Sequence, residues 1–434
     1  MSVAPARDVA FVVLRRVFEQ GAYADLALHG AASQLGPRDR ALAMTLVYGT
    51  VQRRRTLDHL VAGYSSRAPE KLEPAVLAAL RLGAFQLLFL DGISDYAAVN
   101  ESVELAKRSS RGGAQLVNAV LRRVAGEGVS VLNKLDDRTP ADMALKHSVP
   151  DWLAEMWWRE LGEDEARALL ACVNRPAESA VRVNDLLTTL ARVQAALPAG
   201  SAARPPGPWQ NQPGLPELDE ALVLKGAFDA FGSPLFKDGW LMPQSRASAV
   251  VAKVLDPQPG ERVLDLCAAP GGKTTHIAAL TGGRGEVVAV EVNPGRARRL
   301  RRTAVQMGAS RVKVVEADAR EFTDRDGFDR VLVDPPCSGL GTLQARPDLR
   351  WQPQRGEIGE LATRQVELLR VGAGQVRAGG TLVYSVCTIS RREGDGVIDE
   401  LLAEGAFECE SRWQLTPSAD GTDGFYIAKL RRLR

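Results

Sequence analysis

Two cysteines are spaced and flanked as reactive groups are: Cys337 in Asp334-Pro-Pro-Cys337, and Cys387 at the end of Thr381–Val386, a β-branched apolar run. A thiol can act as a covalent nucleophile, and nearby acids can move protons around it. Three further groups belong with them. Cys267-Ala268-Ala269-Pro270-Gly271-Gly272-Lys273 follows one apolar run, Glu291 ends a second, and Asp318 follows a third. The Gly-Gly turn lets backbone come close to a ligand, and a helix opening after it presents free N–H groups. It is not a nucleotide P-loop, which needs Gly six positions before the Lys; that position holds Cys267. Nor is there a G-x-G-x-x-G dinucleotide fingerprint. Glu291, twenty residues after Gly271, is placed to bond a ribose diol, which suits a nicotinamide cofactor or an S-adenosyl compound. Lys273 is expected to touch cofactor or active site. Asp318 and Asp334 could instead cap the helices that follow them. On residue types alone, either cysteine could be the nucleophile.

Such residues need elements that converge. Candidate strands are Arg262–Cys267, Glu286–Val292, Val312–Ala317, Phe328–Asp334, Thr381–Val386 and Phe425–Leu430, with helical segments between them, notably Pro294–Met307 and Glu357–Val376. Alternation of strand and helix means a doubly wound, mostly parallel sheet, whose ligands lie beyond the carboxyl ends of the strands. Five consecutive strand ends carry acids, thiols or the Gly-rich turn, and one crevice accounts for all of them.

This α/β domain is expected over 237–434. Residues 1–140 read as all-helical, with Val9, Val12, Val13 and Val17 at helical spacing and further helices over Asp39–Leu60, Ala75–Leu90, Val99–Lys107 and Leu116–Val124. Between them, 145–236 reads as a small α+β connecting unit. It opens on Trp152, Trp157 and Trp158, has strand candidates at Ala180–Asn184 and Ala221–Leu224, and holds a Pro- and Gly-dense loop at Pro198–Pro216.

The 434 residues carry a formal charge of only +2, so bulk charge does not call for a polyanionic partner. Residues 1–135, however, hold 17 Lys and Arg against 12 Asp and Glu, including Arg53-Arg54-Arg55. That run is the candidate RNA contact, although charge runs are commonly just solvated. The five scattered cysteines, with no apolar leader before them, read as reduced thiols of a cytoplasmic protein. Four histidines and no Cys/His cluster give no expectation of a metal. The most apolar stretch, Ala75–Leu90, is short and contains Arg81 and Gln86, so a core helix is expected and not a membrane span.

Four motifs in order, Asp265-Leu-Cys-Ala-Ala-Pro-Gly-Gly-Lys-Thr274, Val333-Asp-Pro-Pro-Cys-Ser-Gly-Leu-Gly341, Arg346-Pro-Asp-Leu-Arg-Trp351 and Gly380-Thr-Leu-Val-Tyr-Ser-Val-Cys387, resemble those of the Nol1/Nop2/Sun family. Its members are S-adenosylmethionine-dependent RNA cytosine-5 methyltransferases, and Asp423-Gly-Phe-Tyr-Ile-Ala-Lys429 is similar to the family's last strand. Leu46-Val-Tyr-Gly-Thr-Val51, Ala98-Val-Asn-Glu-Ser-Val-Glu-Leu-Ala-Lys107 and Leu116-Val-Asn-Ala-Val-Leu-Arg-Arg123 resemble the NusB-type RNA-binding domain. The resemblance implies a Rossmann-like fold and S-adenosylmethionine as cofactor; a monomer is expected, though nothing in the sequence fixes the oligomeric state. The fused helical domain implies a 16S ribosomal RNA substrate, with transfer RNA as the alternative.

The resemblance also implies roles. Cys387 attacks carbon 6 of cytosine, Cys337 promotes elimination, and Asp334 contacts the base edge. The Cys267–Lys273 loop, Glu291, Asp318 and Asp334 line the cofactor site. Pro336-Cys337 itself resembles the nucleophile of DNA cytosine-5 methyltransferases. The chain departs from the family pattern at Val386-Cys387-Thr388, where Thr-Cys-Ser is usual, and at Glu393-Gly394, where Glu-Asn is usual.

Overall fold

The computed structural model describes residues 3–198, 201–225, 228–352 and 355–433, apart from the side chains of 111, 202 and 355. The chain divides into two compact units. One comprises Met1–Pro176 with Leu343–Pro353, the other Ala177–Thr342 with Gln354–Arg434. The segment expected as a connecting unit is therefore split, its helical opening going with the first unit and its strands with the second.

The first unit is all-helical among the described residues. Its helices are α1 (Pro5–Gln20), α2 (Ala24–Ala31), α3 (Pro37–Gln52), α4 (Arg54–Tyr64), α5 (Pro74–Phe89), α6 (Asp95–Lys107), α7 (Arg111–Asn133), α8 (Pro140–His147), α9 (Asp151–Leu161) and α10 (Glu163–Cys172). The expected Asp39–Leu60 helix is two helices, broken at Arg53, whose φ −94° and ψ 7° leave the α region. α5 is buried almost all round, with Leu80, Leu82 and Ala84 fully covered, as its apolar run requires. No helix among the described residues is long and apolar enough to cross a membrane.

The second unit opens with a small antiparallel sheet in the order β2-β3-β1-β4, made of β1 (Ala180–Val183), β2 (Ala202–Arg204), β3 (Ala221–Lys225) and β4 (Leu241–Pro243). β2 lies inside the stretch expected to be loop throughout. Short helices α11 (Leu190–Ala196) and α12 (Pro234–Lys237) lie between these strands.

The chain then runs through α13 (Arg246–Leu255), β5 (Arg262–Asp265), α14 (Gly272–Leu280), β6 (Glu286–Val290), α15 (Pro294–Gln306) and β7 (Val312–Val315). It closes with β8 (Phe328–Val333), α16 (Arg355–Gln375), β9 (Val376–Val386), α17 (Asp395–Leu402), β10 (Phe407–Leu415), α18 (Pro417–Asp420) and β11 (Phe425–Arg432). The seven-stranded sheet has the order β10-β11-β9-β8-β5-β6-β7. β9, β8, β5, β6 and β7 pair in parallel, and β11 and β10 add antiparallel at one edge. Helices cover both faces: α16 and α17 side chains join Val331, Leu382 and Tyr384 on one, and those of α13 and α14 join Val263, Leu332 and Val383 on the other. This is the doubly wound fold expected from the motif spacing. Its order reverses between β5 and β8, so the crevice lies beyond the carboxyl ends of those two strands.

Candidate active site

The β5 strand ends at Asp265 and the chain turns through Cys267–Gly271 into α14. Gly271 has φ +108°, and a Cβ there would stand 2.7 Å from Leu300 Cδ1, so the turn admits only glycine. Asp265 is buried and accepts a 2.7 Å bond from Thr274 Oγ1, and burial pushes its carboxyl up to about 7. Burial likewise raises the Cys267 thiol, which makes it a poor candidate for a nucleophile.

Across the switch point stands an acid–base pair. Lys273, from the first turn of α14, donates to Asp334 Oδ2 at 2.8 Å, and Ser385 Oγ donates to Asp334 Oδ1 at 2.7 Å. Burial works against the Lys273 charge, but Asp334 overcomes it and the ammonium is raised above its ordinary value. Ser385 and Cys387 are two residues apart and so share one face of β9 where it leaves the sheet. Asp334 is thus no helix cap; it is held between a cation and a hydroxyl.

The two thiols meet. Cys337 Sγ lies 3.3 Å from Cys387 Sγ, and both cysteines are free. Their loops are joined through the backbone as well. Gly341 N–H donates to Cys387 O at 3.0 Å, and Gly424 N–H donates to Gly341 O at 2.8 Å. A Cβ at Gly341 would sit 1.9 Å from Gly424 O, so only glycine permits this approach. The bond to Cys387, and then burial, hold the Cys337 thiol well above its ordinary value.

The remaining expected cofactor residues follow along the strand ends. Glu291, buried just past β6, accepts from Asn293 N at 2.8 Å and lies 3.3 Å from Arg296 Nη2, which also donates to Ala269 O at 2.9 Å. Arg296 therefore ties the acid to the Gly-rich loop. Asp318 caps a short 3-10 turn through Arg320 N, and its bonds to Arg320 hold its carboxyl down at about 2. The Gly-rich loop, Glu291, Asp318, Asp334 and Cys387 accordingly end five adjacent strands.

Arg53, Arg54 and Arg55 lie elsewhere, inside the first unit. Arg53 stacks 4.6 Å from the Phe89 ring, Arg54 lies 5.2 Å from that of Trp351, and Arg55 pairs with Asp151 at 2.6 Å and Val149 O at 3.0 Å. Burial lowers the first two guanidinium groups. All three are half-buried and make these contacts within the helical unit.

Ser338, Tyr384 and Ser385 stand inside the quoted motifs without having been singled out as site residues, and Gln365 was not singled out either; Thr388 was noted as a departure from the family pattern, and Glu393 only as the residue before the departing Gly394. Ser385 was detectable through its period-2 relation to Cys387. Gln365, within α16, carries no local signal.

The second unit thus carries two thiols in contact beside the switch point of an open, mostly parallel sheet, and the same chain contains a helical unit. The family described as 16S rRNA methyltransferase RsmB/F matches residues 252–431, and the NusB family matches residues 4–126. The chain belongs to the RsmB/F methyltransferases. It is 33% identical over 456 residues to a probable ribosomal RNA small subunit methyltransferase B of Bacillus subtilis, covering 100% of both. It is 36% identical over 456 residues to the ribosomal RNA small subunit methyltransferase B of Thermus thermophilus, covering 100% of this chain and 99% of that one. The crystal structure of PH0851 superposes with a TM-score of 0.82 at 27% identity and covers 100% of both chains. A methyltransferase homolog from Pyrococcus horikoshii does so at 0.60 and 26%, over 68% of this chain and 99% of its own.

Proposed function

We propose that this enzyme moves a methyl group from S-adenosylmethionine to carbon 5 of a cytosine in 16S ribosomal RNA, through a covalent bond from Cys387 to the base. The carrying observation is the thiol pair, 3.3 Å apart beside the Lys273–Asp334 pair. Small-subunit RNA as substrate rests on the names of the Bacillus and Thermus relatives.

The donor set fits an S-adenosyl group. The Cys267–Lys273 loop offers close backbone and the N–H groups of a helix start, Glu291 an acid for a ribose, and Asp318 and Asp334 further polar edges. Held there, the cofactor supplies an electrophilic methyl on a sulfonium.

Carbon 5 of cytosine is a poor nucleophile until a thiolate adds at carbon 6. Cys387 forms that carbon–sulfur bond, and the ring double-bond electrons move toward nitrogen 3, where a proton from the Asp334–Lys273 side is taken up. The resulting enamine places its electron density on carbon 5. While Cys387 is an anion, Cys337 keeps its proton and donates it toward that sulfur. Once Cys387 is a thioether, the main cause raising Cys337 is gone. Cys337 can then lose its proton to solvent and, as a thiolate, accept the proton from carbon 5. The carbon–sulfur bond breaks, its electrons return to Cys387, and nitrogen 3 releases its proton.

Tritiated S-adenosylmethionine with unmodified 16S RNA tests the reaction. Cys387→Ala is expected to abolish transfer and any covalent RNA adduct. Cys337→Ala is expected to form the adduct and retain it on a denaturing gel. An adduct in Cys387→Ala and none in Cys337→Ala would reverse the roles.

A further inference from the structure

Thr274 ties the start of α14 to Asp265 at the end of β5, and the next residue, Thr275, ties it to the small antiparallel sheet. The partner of Thr275 is Arg182 of β1, which is fully buried. Burying a guanidinium is costly unless its N–H groups and its charge are answered. The strand shows what answers them. Val181 and Val183 pack with Val193, Leu222 and Leu241 in the small sheet's own core. Arg182, and Asn184 just past the strand, lie on the opposite face and bond to the helices of the parallel sheet. Asn184 Nδ2 donates to Met307 O, just past α15, at 2.9 Å. Arg182 Nη2 donates to Thr275 Oγ1 at 3.1 Å, and its Nε donates to Gln244 Oε1 at 3.0 Å. Burial lowers the guanidinium to about 10 against the opposing charges of Glu220 and Asp185, so it stays charged at neutral pH.

The bond to Thr275 reaches the Gly-rich turn. A hydroxyl has one proton to give, and with Arg182 donating to its oxygen, Thr275 gives that proton to a carbonyl. The nearer one is Gly271 O at 2.8 Å, with Gly272 O at 3.2 Å. Gly271 O also accepts from Thr275 N at 2.9 Å. Gly271 O and the Gly272 N–H belong to one planar trans peptide and point in opposite directions. Fixing the carbonyl therefore fixes the first of the free N–H groups that open α14. Gln244 closes the turn from the same side. Its amide carbon lies 3.7 Å from where a Cβ on Gly272 would stand, and Arg182 Nε holds it there.

We infer that Arg182 is the positioning residue of the cofactor loop: through Thr275 it sets the Gly271–Gly272 peptide so that the N–H groups opening α14 face an S-adenosyl group. The small sheet thereby takes part in cofactor binding through Thr275 and Gln244, at one remove from the ligand. This inference rests on the reading of the crevice as an S-adenosylmethionine site.

S-adenosylhomocysteine titrated into the full-length protein by calorimetry reads the loop without turnover. Arg182→Lys keeps the buried charge but lacks the planar fork that reaches Gln244 and Thr275 together. Thr275→Val keeps the shape and loses the hydroxyl, whereas Thr275→Ser keeps the hydroxyl. The first two variants are expected to bind on the order of 10-fold more weakly at unchanged stoichiometry, and Thr275→Ser as the unaltered protein does. In methyl transfer, KM for the cofactor rises by the same factor while kcat and KM for RNA hold. A role in folding alone would lower the stoichiometry and the thermal midpoint but leave the dissociation constant of the folded fraction unchanged, and that result would overturn the inference. Normal binding by Thr275→Val would do the same. If Arg182→Lys does not fold, the contrast between Thr275→Val and Thr275→Ser decides. Should the unaltered protein bind no S-adenosylhomocysteine, the reading of the crevice fails on its own. Amide exchange at Gly271 and Gly272 still reports on the turn: faster exchange in Thr275→Val than in Thr275→Ser supports the positioning role, and equal exchange removes it.

Discussion

At the scale of single residues, the pair Lys273–Asp334 shows how function and stability separate. Both groups are largely buried, with 13% and 26% of their side chains exposed. Removing one partner of such a pair leaves a charge uncompensated, while removing both can be nearly neutral. Lys273→Met is therefore expected to cost about 2–3 kcal/mol, discounted from the fully buried case for the residual exposure of Asp334. Lys273→Met with Asp334→Asn should recover most of that loss, because Ser385 keeps an acceptor and no charge is stranded. Activity should be absent in both variants. Thermal midpoints beside methyl-transfer assays check this, and a double variant no more stable than the single one would show that the ion pair itself stabilises the fold. These two residues, like both cysteines, were legible because each stands in a motif at a strand end. Glu393 stood only in the Glu393-Gly394 pattern, since two of its carboxylate's partners, Ser338 and Gln365, lie 55 and 28 residues away in sequence and only Thr388 is near, five residues off.

At the scale of elements, strand ends were legible and edges were not. β5, β6 and β8 are apolar runs bounded by turns, and each was placed within two residues of its end. β10 was missed because it is rich in charge and its register shifts between Cys409 and Ser411, which breaks the period-2 pattern of an edge strand. The α15 helix was placed, but its surface was passed over in favour of Arg53–Arg55. Within it Arg296, Arg298, Arg299, Arg301 and Arg302 are exposed, and of these only Arg296 and Arg301 have a carboxylate within ion-pair distance among the described residues. Unpaired, exposed guanidinium groups suit phosphates better than arginines packed on rings. Replacing Arg298, Arg299 and Arg302 together with Gln is expected to weaken RNA binding and to flatten its dependence on log salt concentration by about 2–3. Fluorescence anisotropy across a salt series measures that slope; an unchanged slope would return α15 to the status of a solvated face.

At the scale of the whole molecule, the division into units follows the side chains and not the order of the motifs. Arg346-Pro-Asp-Leu-Arg-Trp351 reads as part of the methyltransferase sequence, yet Leu343–Pro353 belongs to the first unit. The reason is Arg350, which is fully buried and is lowered to about 9 by that burial. Its guanidinium donates to Asn174 Oδ1 at 2.7 Å and to the carbonyls of Ser148 and Val173 at 3.2 Å and of Gln52 and Leu343 at 3.3 Å. Trp351 Nε1 adds a 2.9 Å bond to Val51 O. A sequence shows that an Arg-Trp dipeptide is present but not that the ends of α3, α8 and α10 leave carbonyls for it to bind. Arg350→Met matches its volume and supplies no donor, so these carbonyls lose their partner inside the bundle, at a cost of about 3–5 kcal/mol. Because those acceptors all belong to the first unit, hydrogen–deuterium exchange should rise at the ends of α3, α8 and α10 and leave β5, β6 and β8 protected as before. Equal loss of protection in the parallel sheet would mean that the two units unfold as one cooperative body, and that Arg350 stabilises the whole chain and not its helical part.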